Sequence, residues 1–292
     1  MEKKSVCAVV VTYHPDDAVL ENLIAIRPQV QGLLVVDNGS SEERRNRLRR
    51  GAREVGFTLI ENGENLGIAT ALNIGAKWAQ SEGYTWVALF DQDSTVPPGF
   101  VDTMCRASET HRRRDRLALL VPRYIDSRLG TSLPPIYADN GSLQVAMTSG
   151  SLMPIAIFSQ EGWFEESLFI DGVDYEYCLR LRSNGYSVEE CKEAVLRHAP
   201  ANFTECRLSG SRLFATSNYS AERRYYRDRN KIWMMKKYYR KYPAYFLSTF
   251  GNSLKDCLKV LLAENDKRRK VIYMAMGVRD GLLGRMGKTV PL

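Results

Sequence analysis

Four short apolar runs, separated by stretches of helical periodicity, constrain this chain more than any other feature. Residues 6–14 (VCAVVVTYH), 32–41 (GLLVVDNGSS), 57–62 (FTLIEN) and 86–90 (WVALF) read as strands. Between them, Pro15-Asp16-Asp17 opens a helical pattern that runs through Asn22-Leu23-Ile24. Residues 42–56 form a charged helical stretch, and residues 65–83 carry small and apolar residues at helical spacing. Strand–helix alternation of this kind predicts a mainly parallel sheet covered by helices on both faces, an α/β fold of the Rossmann-like type.

Parallel sheets bind ligands beyond the carboxyl ends of their strands. The polar residues of this half fall at those ends: Thr12-Tyr13, Asp37-Asn38, Asn65 and Asp91-Gln92-Asp93. One polar strand end is punctuation, whereas four on one edge form a site. Within it, Asp91 and Asp93 stand at i and i+2, which in a strand point to the same side. Two carboxylates so placed repel, and a hard cation such as Mg²⁺ or Mn²⁺, shared with substrate phosphates, relieves the repulsion. The other reading of the same residues is a turn whose Asp side chains cap local amides before Pro97-Pro98.

Beyond residue 117 the pattern loosens into LALLVPRYI, a Pro134-Pro135 turn, VAMTSGSLMP and an acidic segment at 164–188. Helical spacing puts Asp171 and Asp174 on one face, ahead of an amphipathic run, Tyr177 to Arg182, that stops at Asn184-Gly185. A carboxylate near a helix start is favoured in its ionised form and suits a base taking a proton from a hydroxyl. A purely structural N-terminal charge is the competing account. His198 stands alone after a strand-like stretch, as a ligand or as an ordinary surface residue. Residues 199–221 read as a polar loop, followed by aromatic and basic helical patterns to about 285.

Net charge is +7, but its distribution is uneven. Residues 1–196 carry 20 Lys/Arg against 27 Asp/Glu, and residues 197–292 carry 21 against 7, so a body of charge −7 bears a C-terminal third of +14. That third is either a solvated helical surface or a surface for anionic partners: phosphates, acidic lipid headgroups or nucleic acid. Six cysteines without a C-x-x-C pair and three scattered histidines argue for reduced thiols and against structural zinc. The N-terminus runs straight into a strand, without a signal-peptide pattern, and no apolar run approaches the ~20 residues that span a bilayer. A cytoplasmic protein is the expectation. The absence of G-x-G-x-x-G after the first strand, of G-x-x-x-x-G-K-[ST] and of G-x-S-x-G argues against dinucleotide oxidoreductases, P-loop NTPases and α/β-hydrolases.

The ordered motifs VVVTYHP, VVDNGSS, NLGIATALNIG, LFDQDS, TSGSLMP, FIDGVDYEYCLRLRSNGY and RRYYRDRN, across residues 5–235, resemble the family 2 inverting glycosyltransferases of GT-A fold. Within that family they look most like the bacterial rhamnosyltransferases that use dTDP-L-rhamnose. The resemblance implies that Thr12, Tyr13 and Asp37 hold the nucleotide base and ribose, with Asn38 and Asn65-Leu66-Gly67 lining the same cleft. It implies that Asp91 reaches ribose or sugar and that Asp93 contacts a Mg²⁺ or Mn²⁺ ion, with His198 completing the metal site. Asp174 aligns with the catalytic base. The family writes an E-D pair there, and Val173 departs from it, which leaves Asp171 or Glu176 to share the work. Arg229 and Asn230 are expected to reach the diphosphate.

The same resemblance implies residues 1–220 as the catalytic domain and 221–292 as a helical basic extension packed on it, offering a membrane or oligomer contact. The implied acceptor is a hydroxyl of a glycan or glycolipid of cell-surface polysaccharide or rhamnolipid type, met at the cytoplasmic membrane face. A UDP-hexose donor (glucosyl or galactosyl) is the alternative within the family. A nucleic-acid-binding protein using the basic aromatic tail is the alternative outside it, and it would leave the strand-end carboxylates unused.

Overall fold

The computed structural model describes residues 5–126, 130, 136–137, 143–198, 204–208 and 211–291. The chain divides into two compact units, one of Met1–Glu166 with Val173–Ala199 and one of Ser167–Gly172 with Pro200–Leu292.

The first unit is built on a seven-stranded sheet in the order β3-β2-β1-β4-β8-β5-β9. Its elements run β1 (Val6–Thr12), α1 (Ala18–Ile26), β2 (Gly32–Asp37), α2 (Glu42–Gly51), β3 (Thr58–Glu61), α3 (Ile68–Ser81), β4 (Trp86–Asp91) and α4 (Phe100–Thr110). Then follow β5 (Leu117–Asp126), β6 (Ile136–Tyr137), β7 (Leu143–Val145), β8 (Ser151–Pro154), α5 (Ala156–Glu161), α6 (Val173–Ser183) and β9 (Ser187–His198). Strands β1 to β4 pair in parallel, β8 runs antiparallel to both β4 and β5, and β5 pairs with β9 in parallel. Every residue of β1 and β2 is buried, as continuous Val/Leu runs require when helices cover a parallel sheet. Helix α3 packs on β1 and β2.

Three expectations about segments change. Strands β1 and β2 stop at Thr12 and Asp37, because the polar residues after them turn the chain away from the ladder. Residues 42–56 split into α2 and a π turn, Ala52–Gly56, instead of one helix. The stretch expected as a loop at 199–221 contains an antiparallel hairpin, β10 (Thr204–Leu208) and β11 (Ser211–Thr216). The Pro134-Pro135 turn lies outside the described residues.

The second unit adds helices α7 (Ala221–Tyr238), α8 (Pro243–Ala263) and α9 (Lys267–Leu283) to that hairpin. Its boundary therefore falls at 199/200 instead of 220, since β11 packs on α8, and the unit also takes in residues 167–172. Helices α7 and α9 approach closely because Gly277 and Gly281 carry no side chain: a Cβ on them would lie 2.4 Å from Tyr225 O and 2.6 Å from Arg229 O. A buried ion cluster joins β11, α7, the end of α8 and α9. Glu264 accepts from Arg224, from Lys270 Nζ (2.8 Å) and from the Thr216 hydroxyl, all four residues being buried.

Candidate active site

The parallel register of the first unit brings the expected strand ends side by side. Thr12 pairs with Asp37, Asp37 with Glu61, and Val11 with Asp91. Asp37 is wholly buried, and its two carboxylate oxygens are taken from within the protein. Thr12 Oγ1 donates to Oδ1 at 3.1 Å, Ser40 N donates to Oδ2 at 3.0 Å, and the Ser40 hydroxyl also donates to Oδ1. Both side chains face inward and shape the 37–40 turn. What this edge exposes is Tyr13, whose backbone N–H donates to Gln92 Oε1 at 2.8 Å and whose ring meets His14 edge-on.

Next to it, side-chain amides lock the loops after β2 and β3. Asn38 Nδ2 donates to Asn65 Oδ1 and Asn62 Nδ2 to Asn38 Oδ1, each at 3.1 Å. The backbone N–H groups of Leu66 and Gly67 donate to Asn38 Oδ1 and Asn65 Oδ1. Gly39, at φ +90°, lets the two loops meet, since a Cβ there would sit 2.3 Å from the Glu64 carbonyl carbon. Asn38, Asn65 and Gly67 are thus brought together at one edge.

Strand β4 ends at Asp91, and Gln92-Asp93 form a turn closed by Ser94 N donating to Asp91 O at 3.2 Å. The i, i+2 strand argument for the carboxylates is therefore replaced by a turn, which leaves Asp93 exposed and Asp91 half-buried. Residues not singled out from sequence hold this turn. Asp91 N donates to Ser149 Oγ (3.1 Å), and the Ser94 and Ser149 hydroxyls are 2.6 Å apart and buried. Tyr124 OH reaches the carbonyls of Met147 and Ser149 at 2.8 Å each. Burial pushes the Tyr124 phenol well above its usual range, and the charges of Asp91 and then Asp174 push it further. The signal for Ser149 was present in the TSGSLMP motif; nothing in LALLVPRYI marked Tyr124.

Asp174 is the second residue of α6, half-buried, with Tyr175 N donating to its Oδ1 at 2.9 Å. The helix N-terminus favours its anionic form. The two residues expected to share its work are each paired with an arginine. Glu176 is completely buried and held by Arg180 at 2.5 and 3.2 Å. Asp171 lies outside α6, in the second unit, at φ 63° and ion-paired with Arg223 (3.1 Å).

Arg229 and Asn230 are held by partners within the second unit. Arg229 is fully buried in the second unit, donating to Gly287 O (2.6 Å), Leu168 O (3.0 Å), Asn230 Oδ1 (3.0 Å), Thr289 Oγ1 (3.1 Å) and Ser167 O (3.2 Å). Asn230 Nδ2 donates to the carbonyls of Leu168, Ile170 and Asp171 at 2.7–2.9 Å. Both residues organise the 167–172 segment, and their donors are occupied by protein.

Asp91 and Asp93 together supply hard oxygen donors, which suits Mg²⁺ or Mn²⁺ sharing its sphere with phosphate and water. Among the described residues no group of three or more His, Cys, Asp or Glu gathers as a complete metal cage. The side chain of His198 lies outside the described residues. Its backbone ends β9, opposite Asp126, and the preceding Arg197 bridges Thr95, two positions after Asp93.

Residues 7–131 match the model of Glycosyl transferase family 2. The dTDP-rhamnosyl transferase RfbF of Shigella flexneri is 28% identical over 302 residues, covering 97% of each chain. Among solved structures, the mannosyltransferase PcManGT from Pyrobaculum calidifontis, in complex with GDP-Man and Mn²⁺, aligns at TM-score 0.59 and 15% identity over 97% of this chain and 89% of that one. TarS of S. aureus aligns at TM-score 0.55 and 12% identity over 94% of this chain, which spans 43% of the TarS chain. The fold is that of the GT-A glycosyltransferases.

Proposed function

From a family 2 glycosyltransferase domain at residues 7–131, we infer that the chain is a glycosyltransferase, and we propose that it transfers L-rhamnose from dTDP-L-rhamnose to an acceptor hydroxyl. The observation that carries the donor is the likeness to RfbF along 97% of both chains. The acceptor we propose is a glycan or glycolipid at the cytoplasmic face of the membrane.

The chemistry is a single in-line displacement with inversion. Asp174 takes the proton of the acceptor hydroxyl as that oxygen attacks the anomeric carbon. The bond to the diphosphate breaks on the opposite face, so a β-linked donor yields an α-L-rhamnoside. The placement of Asp174, half-buried at the N-terminus of α6, supports its part as the base. Asp91 orients the ribose or sugar, and Tyr13, Asn38 and Asn65 line the nucleotide end of the cleft. Asp93, with His198, would hold a Mg²⁺ or Mn²⁺ ion, which when bound stabilises charge on the departing diphosphate. Thr12 and Asp37 act by fixing the loop that presents Tyr13.

The test is thermal unfolding against a panel of nucleotide sugars with and without Mg²⁺ or Mn²⁺. A ligand at 100 times its Kd adds about 2.7 kcal/mol of stability. dTDP-L-rhamnose with metal is expected to raise the midpoint most, and a UDP-hexose that does so instead would overturn the donor.

A further inference from the structure

Helix α8 presents an apolar face that the protein leaves uncovered. Leu247, Phe250, Leu254, Leu258, Leu261 and Leu262 are 47–69% exposed. At 100° per residue they fall within an arc of about 120°. Phe246 and Val260, both buried, lie beyond the Phe250 edge of that arc, so α8 is anchored along one flank while the stripe meets solvent. From Leu247 to Leu262 the stripe is about 23 Å long, within a helix of 21 residues. No described helix is long and apolar enough to cross a membrane. A stripe of this size on a soluble surface marks a docking face.

The surrounding charge selects the occupant. In residues 236–269 the exposed charged side chains are Lys236, Lys237, Arg240, Lys241, Lys255 and the Lys267-Arg268-Arg269 run, against one exposed acid, Asp266. All of these basic residues but Lys255 flank α8 in sequence, on both sides, with Arg269 paired to Glu222. A second copy would bring the same excess of positive charge against itself, whereas an anionic bilayer satisfies it and accepts the stripe. We propose that α8 lies in the headgroup plane of an anionic membrane, inserting this leucine-rich face with the basic residues on the headgroups. The assignment deepens the reading of the acceptor as membrane-borne and rests on it for its purpose.

The test is flotation of the full chain with vesicles of phosphatidylcholine, alone or with phosphatidylglycerol. Strong binding is expected only to the anionic vesicles. Leu254→Glu with Leu258→Glu is expected to lower the partition coefficient on the order of 100-fold, through two lost apolar burials. The charge-matched pair Ser248→Glu with Asn252→Glu, off the stripe, is expected to lower it by about tenfold at most. All four positions are exposed except for the stripe's own packing, so unfolding midpoints serve as the control for both pairs. Equal losses for the two pairs would overturn insertion while leaving a membrane-borne acceptor in place. Wild-type protein that ignores anionic vesicles, yet forms dimers that the leucine substitutions dissociate, would overturn it in favour of a second copy. Absent vesicle binding combined with transfer to a soluble glycan would remove the membrane-borne acceptor as well.

Discussion

Arg229 separates a recognition role from a structural one, and its environment yields a magnitude. Its guanidinium makes five hydrogen bonds, and burial pushes its pKa down against the pull of Tyr225, Tyr226 and Asp280. Substitution by Met keeps most of the stem and removes all five donations. Three acceptors have other ties: Leu168 O keeps Asn230 Nδ2, Ser167 O keeps Gly287 N, and Thr289 Oγ1 stays bonded to Tyr225 OH. Gly287 O and Asn230 Oδ1 lose their donor. Orphaned acceptors cost about 1–3 kcal/mol each when buried, and these two, with the lost charge-assisted bonds and less the recovered desolvation of the cation, bring the total to about 3 kcal/mol. At 2–4 °C per kcal/mol for a chain of this class, the unfolding midpoint should drop by roughly 6–12 °C. Differential scanning calorimetry beside calorimetric titration of dTDP-L-rhamnose reads both quantities. The expected result is a lower midpoint with donor affinity retained well below it. An unchanged midpoint with donor affinity reduced tenfold or more would refute the structural account and return Arg229 to the diphosphate.

Asp174→Asn is expected to lower turnover by about 10²–10⁴-fold with donor affinity nearly intact, measured by steady-state transfer and titration; near-normal turnover would move the base elsewhere. Asp93→Ala is expected to abolish the metal-dependent part of donor binding, and an unchanged titration with and without Mn²⁺ would sink that role. For Glu264, burial alone would raise the carboxyl, but hydrogen bonds from Lys270 and Thr216 and the charge of Arg224 hold it below its ordinary value. Its contribution is therefore complete above the ordinary glutamate range and is lost as pH falls through the depressed folded-state value. Glu264→Gln, leaving two buried cations underpaired, is expected to cost about 3–5 kcal/mol near neutral pH and to flatten the acid limb of the melting curve. Burial pushes the Cys7 and Cys178 thiols up to about 12, so in the native state at pH 8 a maleimide is expected to label the partly exposed Cys105 and Cys257 and to spare those two. Mass mapping of labelled peptides checks this.

The alternation of unbroken apolar strands with helical stretches was enough to read the sheet, because period and run length are local properties that a parallel sheet must satisfy. The polar strand ends followed from the same pattern, and with them Asn38, Asn65, Asp91 and Asp93. The hairpin at 204–216 escaped, because a polar strand paired outside a sandwiched core lacks that apolar run. What the sequence could not determine is direction. Asp37 and Tyr13 are both polar residues at strand ends, yet one is buried under Thr12 and Ser40 and the other meets solvent. Arg229 and Asp171 look like site residues until the packing of residues 167–172 on α7 takes up their charges and donors. A motif fixes which groups are available and roughly where along the chain they fall. Whether a group faces a ligand or a neighbouring carbonyl is a matter of long-range hydrogen bonding and burial, and only the tertiary structure decides it.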